Sequence, residues 1–561
     1  MTRPSYVCGL SSEPLLDTTI AQAFLETVSR FPDRLALVSR HQELRYTYKE
    51  LAERVNAFAK GLAGLGLVKG DRIGIWSPNN AEWVITQLAT ARLGLILVNI
   101  NPAYRTSELD YALNKVGCKA LVLAHRFKSS DYVSMIEELC PEAPTAKPGA
   151  LASKTIPSLQ TLIVISDEAV PGMYQFSEIE RMNQEMTNGQ LDDVTADLEF
   201  DDPINIQFTS GTTGQPKGAT LTHHNILNNG YFCGKRQRLC ETDSVCIPVP
   251  LYHCFGMVLG VLTCITHGAA MVFPDEAFSA DAVLRAVSQE QCTALYGVPT
   301  MFIAALDHPE FSSFDLSSLR TGIMAGSPCP VEVMKKVIAH MHMEEVTIGY
   351  GMTEVSPLSF QSMPDESLER RVGTVGQAHP FVEAKIVDEG GHIVPRGQQG
   401  EICFRGYSVM RGYWEDKERT KEAIDDARWM HSGDLATMDR DGYVNITGRV
   451  KDMIIRGGEN IYPREIEEFL YRHPDIQDVQ VFGVPDERFG EEVCAWIKST
   501  NPSLQDTDIT EFCTGKIAHY KVPKHIRFVD DYPMTVTGKI QKFIMRNQMA
   551  DMLGRKAQTS A

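Results

Sequence analysis

The sequence has few features of a secreted or nucleic-acid-binding protein. Its thirteen cysteines are scattered from Cys8 to Cys513, with no Cys-x-x-Cys pair and no dense framework. This distribution suits a reducing compartment, so we expect no disulfide bonds. The net charge of -18 argues against a nucleic-acid partner, because a nucleic-acid surface is basic. Any cationic site must therefore be local.

Targeting and membrane signals are also scarce. The N-terminus lacks a basic segment followed by an apolar one, and residues 558–561 are not the Ser-Lys-Leu peroxisomal address. We therefore expect a cytoplasmic protein, or a mitochondrial-matrix protein if a presequence has been removed. The most apolar stretch, 256–273, contains Thr263, His267 and Gly268. It predicts a buried helix followed by a strand, and we expect no transmembrane segment.

The 561 residues exceed the usual size of one domain and predict at least two. Apolar segments alternate with helical ones up to about residue 325, which indicates two largely parallel sheet-and-helix subdomains, the second starting near the loop at 209–218. Short alternating strands and hairpin signals follow at 373–448. The fold class is thus α/β: a large N-terminal domain (1–449) of two α/β sheet subdomains plus a small β-barrel-like subdomain, and a small α+β C-terminal domain (450–561).

Residues 209–218 read Thr-Ser-Gly-Thr-Thr-Gly-Gln-Pro-Lys-Gly and follow a strand-like alternation of apolar residues. Glycines let a backbone approach an anion closely, while the hydroxyls and Lys217 supply donors and positive charge. We interpret this stretch as a phosphate-binding loop. Gly211 and Gly214 are three residues apart and no Gly-Lys-Ser/Thr closes the loop, so it is not the Walker pattern.

Other patterns are better explained as local structure. Glycines 64, 66 and 70 end a predicted helix and do not follow a strand, so they are not a dinucleotide-binding fingerprint. Asp439 and Asp441 hint at a calcium loop, but Gly442 comes too early for one, and a turn is preferred. His340 and His342 alternate with Met341 and Met343, but no acidic or cysteine ligand cluster supports a metal site there.

Four more motifs follow the phosphate loop: Tyr-Gly-Met-Thr-Glu at 350–354, Gly-Arg-Val-Lys-Asp at 448–452, Arg-Gly-Gly-Glu-Asn-Ile-Tyr-Pro at 456–463 and Thr-Gly-Lys at 537–539. With these five motifs in this order, nearly the whole chain resembles the adenylate-forming superfamily, which contains acyl-CoA synthetases, aryl-CoA ligases, luciferases and peptide-synthetase adenylation domains. Within it, the chain most resembles the medium-chain acyl-CoA synthetase branch.

The resemblance implies a site for ATP and Mg²⁺. The β- and γ-phosphates of ATP would be held by Thr209, Ser210, Gly211, Thr212, Thr213, Gly214 and Lys217. Thr353 would contact the α-phosphate, and Glu354 would bind Mg²⁺, a hard cation that suits one carboxylate plus phosphate oxygens. Adenine would lie against Gly326, Ser327 and Pro328, with Tyr350 stacked on it. Asp434 and Arg449 would hold the ribose; Ser432 replaces the usual threonine and keeps its hydroxyl.

The resemblance also assigns acyl, thiol and mobile elements. His253, Val298 and Met352 would line the acid pocket, whose apolar character favours a medium or long aliphatic acid. Lys539 would bridge carboxylate and α-phosphate during adenylation. The C-terminal domain would then rotate about Lys451, withdraw Lys539 and present Arg456, Gly457 and Gly458 to the pantetheine thiol of coenzyme A.

The implied function is an acid–thiol ligase: ATP activates a fatty acid to acyl-AMP with release of pyrophosphate, and CoA then accepts the acyl group. A carrier-protein phosphopantetheine is an alternative acceptor, although the chain contains no Asp-Ser-Leu carrier segment. Luciferase-like oxygenation has no separate signature. A nucleotide sensor without catalysis would not need Lys539. The expected partners are a small carboxylic acid, ATP and CoA, and a homodimer is compatible with the sequence.

Overall fold

The computed structural model describes residues 3–209, 216–327, 329–449, 451–457, 459–535 and 538–555. Helices alternate with strands through most of these residues. The α-helices span Ile20–Arg30, Tyr48–Gly64, Ala81–Leu93, Thr106–Val116, Tyr132–Leu139, Phe176–Glu180, Asn188–Ala196, His223–Gln237, Thr263–His267, Ala280–Glu290, Pro299–Leu306, Val331–His340, Leu368–Gly373, Lys417–Ala423, Pro463–Leu470, Asp506–Cys513 and Lys542–Met552. A π-helix spans Phe255–Leu262, and short 3-10 turns span Ala143–Thr145, Phe311–Ser313, Thr353–Val355 and His519–Lys521.

Two large sheets form the main body. Sheet A has eight strands, in the order Tyr174–Gln175, Thr161–Ile165, Ala120–Ala124, Arg72–Trp76, Ile96–Asn99, Pro203–Thr209, Lys217–Thr222 and Gly412–Tyr413. Sheet B has nine strands, in the order Gln377–Ala378, Leu358–Gln361, Glu345–Gly351, Thr321–Ala325, Ala294–Gly297, Ser244–Cys246, Ala270–Phe273, Leu35–Ser39 and Leu44–Thr47. Their central pairs are parallel, as predicted, and antiparallel pairs lie toward the edges.

Two five-stranded sheets and a small hairpin complete the fold. Sheet C is antiparallel, in the order Tyr6–Cys8, Val382–Val387, Gly400–Gly406, Met430–Met438 and Val444–Arg449. The C-terminal sheet runs Glu459–Ile461, Ile454–Arg456, Gly490–Ser499 and Ile476–Asp486, with His525–Phe528 pairing to Gly490–Ser499. The hairpin joins Arg126–Phe127 to Ser130–Asp131. The structure agrees with the sequence prediction in its α/β class, its small β-rich unit and its separate C-terminal α+β unit.

One predicted boundary is wrong. The two strands that flank the phosphate loop extend sheet A, since Pro203–Thr209 pairs in parallel with Ile96–Asn99. The second subdomain therefore does not start at the loop. Sheet B also includes Leu35–Ser39 from the N-terminal segment, paired with Ala270–Phe273. Periodicity along the chain indicates a strand but does not identify its partner.

The helix Tyr48–Gly64 shows how the sequence fixes an element. Its N-cap is Thr47, whose hydroxyl accepts the Glu50 amide while the Glu50 carboxylate accepts the Thr47 amide. This reciprocal cap satisfies amides that would otherwise lack partners. The apolar stripe of this helix, Leu51, Val55, Phe58 and Leu62, is buried, and Phe58 stacks on Phe176 with ring centroids 4.0 Å apart.

The other local predictions concern the apolar stretch at 256–273, the cysteines and the turn at Asp439. The apolar stretch at 256–273 is a buried π-helix and α-helix followed by the strand Ala270–Phe273. No described helix combines the length and apolarity that a membrane span requires. All thirteen cysteines are among the described residues and are free. The carboxylate of Asp439 accepts the amides of Asp441 and Tyr443, which is a turn, as expected.

We predict that Phe58→Ala lowers the free energy of unfolding by about 3–5 kcal/mol, because it removes a buried ring and leaves a cavity. Glu53→Ala is the matched control, since Glu53 is an exposed residue of the same helix; its effect should stay within about 0.5 kcal/mol. Urea unfolding followed by tryptophan fluorescence measures both. Equal midpoints for the two variants would contradict this assignment of the core.

Candidate functional site

The phosphate loop connects two antiparallel strands of sheet A. Thr209 and Lys217 are direct cross-strand partners at its base. The predicted phosphate contacts Ser210, Gly211, Thr212, Thr213 and Gly214 lie outside the described residues. At the base of the loop, the Thr209 hydroxyl donates to Oε1 of Glu354 at 3.2 Å. The loop thus opens directly beside the predicted metal-binding carboxylate.

Glu354 is held in a buried turn, Thr353–Val355, that follows the sheet B strand Glu345–Gly351. The same Oε1 also accepts from the hydroxyl of Tyr413 at 2.9 Å. Tyr413 lies on the edge strand of sheet A, next to Lys217–Thr222, and the Lys217 ammonium sits 5.0 Å from its ring centroid. One tyrosine therefore contacts both the predicted Mg²⁺ ligand and the loop lysine.

Sequence reasoning missed Tyr413. It belongs to none of the motifs, and its contact with Glu354 depends on pairing between strands that are distant in sequence. Burial and the Glu354 carboxylate raise the pKa of Tyr413 well above its usual range. The phenol therefore stays protonated and keeps donating to Glu354.

Glu354 suits the hard cation that the motif implies. Among the described residues, no other carboxylate, cysteine or histidine clusters with it as a set of metal ligands. A Mg²⁺ ion there would take its remaining ligands from phosphate oxygens and water, which is the usual preference of this ion. The neighbouring Thr353 is buried, and its hydroxyl lies 3.6 Å from the sulfur of Cys254. Cys254 is another residue that no motif singled out.

The predicted nucleoside residues meet where sheets B and C approach each other. Tyr350 ends a sheet B strand and donates its hydroxyl to Asp434 at 2.7 Å. Arg449 is the cross-strand partner of Asp434 in sheet C and donates its Nε to the other carboxylate oxygen at 3.1 Å. Burial raises the pKa of Asp434, and the Arg449 charge acts in the opposite direction.

Ser432 keeps the function of a hydroxyl at that position. It donates to the carbonyl of Ile402 and accepts the Asp434 amide at 3.0 Å.

On the adenine side, Gly326 follows the strand Thr321–Ala325 with φ of +90°, and an added Cβ would come within 3.1 Å of Val298. Ser327 is exposed, and Pro328 lies outside the described residues.

Lys539 enters this site from the C-terminal sequence. Its amide donates to the Thr535 hydroxyl and its carbonyl accepts the Thr535 amide, which makes a tight turn. Gly538 in this turn has φ of +75°, and its carbonyl accepts from Thr300 at 3.3 Å. An added Cβ at Gly538 would lie 3.0 Å from Val298, so the close approach to Val298 also favours glycine.

The environment of the Lys539 ammonium contains the other predicted catalytic groups. Burial lowers the pKa of Lys539, and Arg449 lowers it further. Cys254, Glu354 and Asp434 have the opposite effect. The lysine is therefore within electrostatic range of both the predicted metal carboxylate and the predicted ribose carboxylate.

The residues predicted to line the acid pocket are His253, Val298 and Met352. Burial, with a smaller contribution from the Lys539 charge, lowers the pKa of His253 to about 3, so its imidazole is neutral. Its Nδ1 accepts the Phe255 amide at 3.1 Å. Val298 is buried against the Gly326 and Gly538 backbones. Met352 is partly buried and packs against the main core.

The predicted thiol-side residues are not in this cluster. Arg456 pairs with the buried Glu492 at 2.6 Å and lies over the ring of Phe489, at 4.2 Å from its centroid. The Gly457 amide donates to the Phe489 carbonyl at 2.8 Å, and Gly458 lies outside the described residues. Lys451 is exposed in the turn after the last strand of sheet C.

A cavity of about 410 Å³ reaches the turn that carries Lys539. Its walls come from both parts of the chain, and near the turn they include Tyr252, Thr300, Met301, Thr535 and Gly538. Lys128 and Lys498 also line it. Four carboxylates line it as well: Glu276, Asp307, Asp478 and Asp531. The cavity therefore provides a second approach to the site, with charges of both signs along it.

Comparison with known proteins identifies the architecture. The family described as AMP-binding enzyme matches residues 24–414, and the AMP-binding enzyme C-terminal domain matches residues 465–539. Mitochondrial medium-chain acyl-CoA ligase ACSF2 of Danio rerio is 50% identical over 98% of this chain and 91% of its own length. The human ACSF2 is 46% identical over 97% and 90%. Putative acyl-CoA synthetase YngI of Bacillus subtilis (strain 168) is 49% identical over 96% and 98%.

Solved structures agree over nearly the full length. Anthranilate CoA ligase AuaEII in complex with anthranoyl-AMP superposes with a TM-score of 0.85 at 27% identity, covering 97% of this chain and 99% of that one. ATP-bound MatB from Rhodopseudomonas palustris gives 0.81 at 29% identity, covering 96% and 100%. With both family domains matched in order, the chain belongs to the AMP-binding enzymes of the adenylate-forming superfamily, in the branch of the medium-chain acyl-CoA ligases.

Proposed function

We propose that the protein is an AMP-forming acid–thiol ligase that activates a medium-chain fatty acid with ATP and transfers the acyl group to CoA. The observation that carries the proposal is that the Lys539 ammonium lies within electrostatic range of Glu354, Asp434 and Arg449, since a protein that only bound a nucleotide would not need this lysine. The names of the relatives ACSF2 and YngI support the reaction class, and ACSF2 also supports the chain length.

The first half-reaction makes the acid a better acyl donor. A carboxylate oxygen attacks the α-phosphorus of ATP, the bond to the β-phosphate oxygen breaks, and pyrophosphate leaves. Negative charge concentrates on the phosphates and on the attacking carboxylate. Lys539 and Thr353 stabilise that charge on the acid side, while Lys217 does so on the pyrophosphate side. Bound Mg²⁺, held by Glu354, would neutralise part of the phosphate charge.

The neutral imidazole of His253 suits the acid site. A charged imidazolium would repel the Lys539 ammonium. A neutral ring can contact the acid without adding charge. Tyr350, Asp434 and Arg449 hold the nucleoside in place, because the carboxylate accepts ribose hydroxyls while the guanidinium fixes its orientation. Tyr413 positions Glu354 and borders Lys217, which links metal binding to the phosphate loop.

The second half-reaction replaces AMP with a thiol. The CoA sulfur attacks the acyl carbon, the bond to the AMP oxygen breaks, and a thioester and AMP result. The cavity that reaches Gly538 is the proposed entry for the pantetheine arm. Rotation about Lys451 would withdraw Lys539 and bring Arg456, Gly457 and Gly458 toward the thiol.

Product analysis tests the reaction class. With ATP, Mg²⁺ and a panel of aliphatic acids, we expect pyrophosphate exchange that depends on the acid, and adding CoA should release AMP and acyl-CoA. Medium-chain acids should give the highest kcat/KM. ADP and phosphate as products would overturn the adenylation chemistry. Acyl transfer to a phosphopantetheinylated carrier protein but not to CoA would overturn the acceptor assignment.

Lys539→Ala separates the half-reactions. Losing a positioned donor from a transition state commonly lowers kcat by about 10²- to 10³-fold, so adenylation should fall at least that far. Thioester formation from supplied acyl-AMP and CoA should stay within a few-fold of wild type, because Lys539 would then be withdrawn. Single-turnover assays of each step measure this.

The matched control is Lys516→Ala, which removes an exposed lysine in the same part of the chain and should leave both half-reactions unchanged. Equal loss of both half-reactions in folded Lys539→Ala protein would contradict the proposed rotation.

Tyr413→Phe tests the positioning of Glu354. Removing the hydroxyl leaves the carboxylate with one fewer donor, so the Mg²⁺ concentration for half-maximal adenylation should rise while the KM for the acid changes little. Glu354→Gln should give the same shift more strongly, because an amide lacks the charge that a hard cation favours. Mg²⁺ titrations at saturating acid measure both variants.

Tyr231→Phe is the control, since it removes a tyrosine hydroxyl that donates to a different glutamate, Glu13, away from the site. An unchanged Mg²⁺ requirement in both Tyr413→Phe and Glu354→Gln would contradict the metal assignment.

A further inference from the structure

Sheet C carries a second cluster of metal-binding side chains, outside the site described above. Cys403 and His431 are direct cross-strand partners on Gly400–Gly406 and Met430–Met438. The Cys403 sulfur lies 3.5 Å from Nδ1 of His431, and Oε2 of Glu401 lies 2.9 Å from the same nitrogen. One ligand atom from each of these three residues lies within 4.8 Å of the other two, and no other such set occurs among the described residues.

The spacing fits a tetrahedral metal ion. Zn²⁺ binds cysteine sulfur at about 2.3 Å and histidine nitrogen at about 2.0 Å, which places the two ligand atoms about 3.5 Å apart at the tetrahedral angle. The sulfur and nitrogen already have that separation. The carboxylate and the imidazole need to separate by only a few tenths of an ångström, because without a metal they share a hydrogen bond.

The surrounding residues orient these ligands. The second ring nitrogen of His431, Nε2, lies 4.0 Å from an Asp425 carboxylate oxygen. The other oxygen of Asp425 accepts the Trp429 amide at 2.8 Å, which fixes the carboxylate. Metal-bound histidines usually donate their free N–H to such a carboxylate. The second oxygen of Glu401 accepts the Gly433 amide at 2.8 Å, so it too is anchored.

Access and charge also favour a cation. The His431 side chain is 34% exposed, whereas Cys403 is fully buried behind it, so an ion entering from solvent meets the imidazole first and the sulfur last. Metal binding would deprotonate the Cys403 thiol and release its proton to solvent. The thiolate and two carboxylates would outweigh two nearby cations, Lys385 and Arg405, which both lie over the Trp429 ring.

We propose that Glu401, Cys403 and His431 bind a divalent transition-metal ion, Zn²⁺ or a chemical equivalent, with water in the fourth position. Asp425 is the positioning residue that orients His431. The ion would link the two strands close to Gly433 and Asp434. It would therefore stabilise the segment that carries Asp434, the carboxylate proposed to hold the nucleoside. This proposal is independent of the acyl substrate.

Co²⁺ is the probe, because its visible spectrum reports tetrahedral coordination and its near-ultraviolet charge-transfer band reports a bound thiolate. Full-length protein, reduced and stripped with a chelator, is titrated with Co²⁺ and then with Zn²⁺ in competition with a chromophoric chelator. We expect one ion per chain, with the sulfur band present and lost on addition of Zn²⁺.

Variants locate the ion. Cys403→Ala should abolish the sulfur band. Asp425→Asn should weaken metal binding by about 10- to 100-fold, and His431→Gln should weaken it by at least as much. Cys240→Ser, which removes an exposed cysteine elsewhere, should bind as wild type does. Circular dichroism checks the folding of each variant.

Three results would overturn the proposal: wild-type protein without the sulfur band, wild-type affinity in Cys403→Ala, or wild-type affinity in His431→Gln. If Cys403→Ala does not fold, His431→Gln provides the same test, since loss of either ligand must weaken the site.

Discussion

The site depends on placing one lysine ammonium among buried carboxylates that come from different sheets. Unpaired charges are expensive to bury, and each must find donors or an opposite charge. Glu354 accepts from Thr209 and Tyr413, and Asp434 accepts from Tyr350 and Arg449. The donors to Glu354 are neutral hydroxyls, so Lys539 adds a positive charge that this set lacks.

The same requirement explains why three sheets converge here. Each carboxylate is satisfied by a donor from a neighbouring sheet: Tyr413 of sheet A reaches Glu354, which follows sheet B, and Tyr350 of sheet B reaches Asp434 of sheet C. These hydrogen bonds fix the phosphate, metal and nucleoside positions relative to one another. A change in how the sheets pack would therefore separate donors from acceptors, so the packing of the cores positions the chemistry.

Local patterns predicted the local elements well. The strands Arg72–Trp76, Ala120–Ala124 and Thr321–Ala325 are compact apolar runs between helical segments, which is the alternation that the sequence predicts up to about residue 325. Motifs also named the residues around Lys539. Sequence missed what long-range pairing decides: the place of the strands Pro203–Thr209 and Lys217–Thr222 in sheet A and the contact of Tyr413 with Glu354. Two residues 59 positions apart carry no periodic signal of their contact.

Several hydrogen bonds hold the C-terminal part against the rest of the chain. Because they are polar, water can replace them. Thr300 donates to the Gly538 carbonyl, Tyr462 donates to Gln399, and Arg464 donates to the Ile446 carbonyl. Such bonds contribute only about 0.5–1.5 kcal/mol each, net of water. By contrast, the C-terminal sheet has its own buried core, with Ile466, Val479 and Val493. The proposed rotation would exchange these polar contacts and preserve this core, so Lys539 could leave the site without unfolding the sheet beside it.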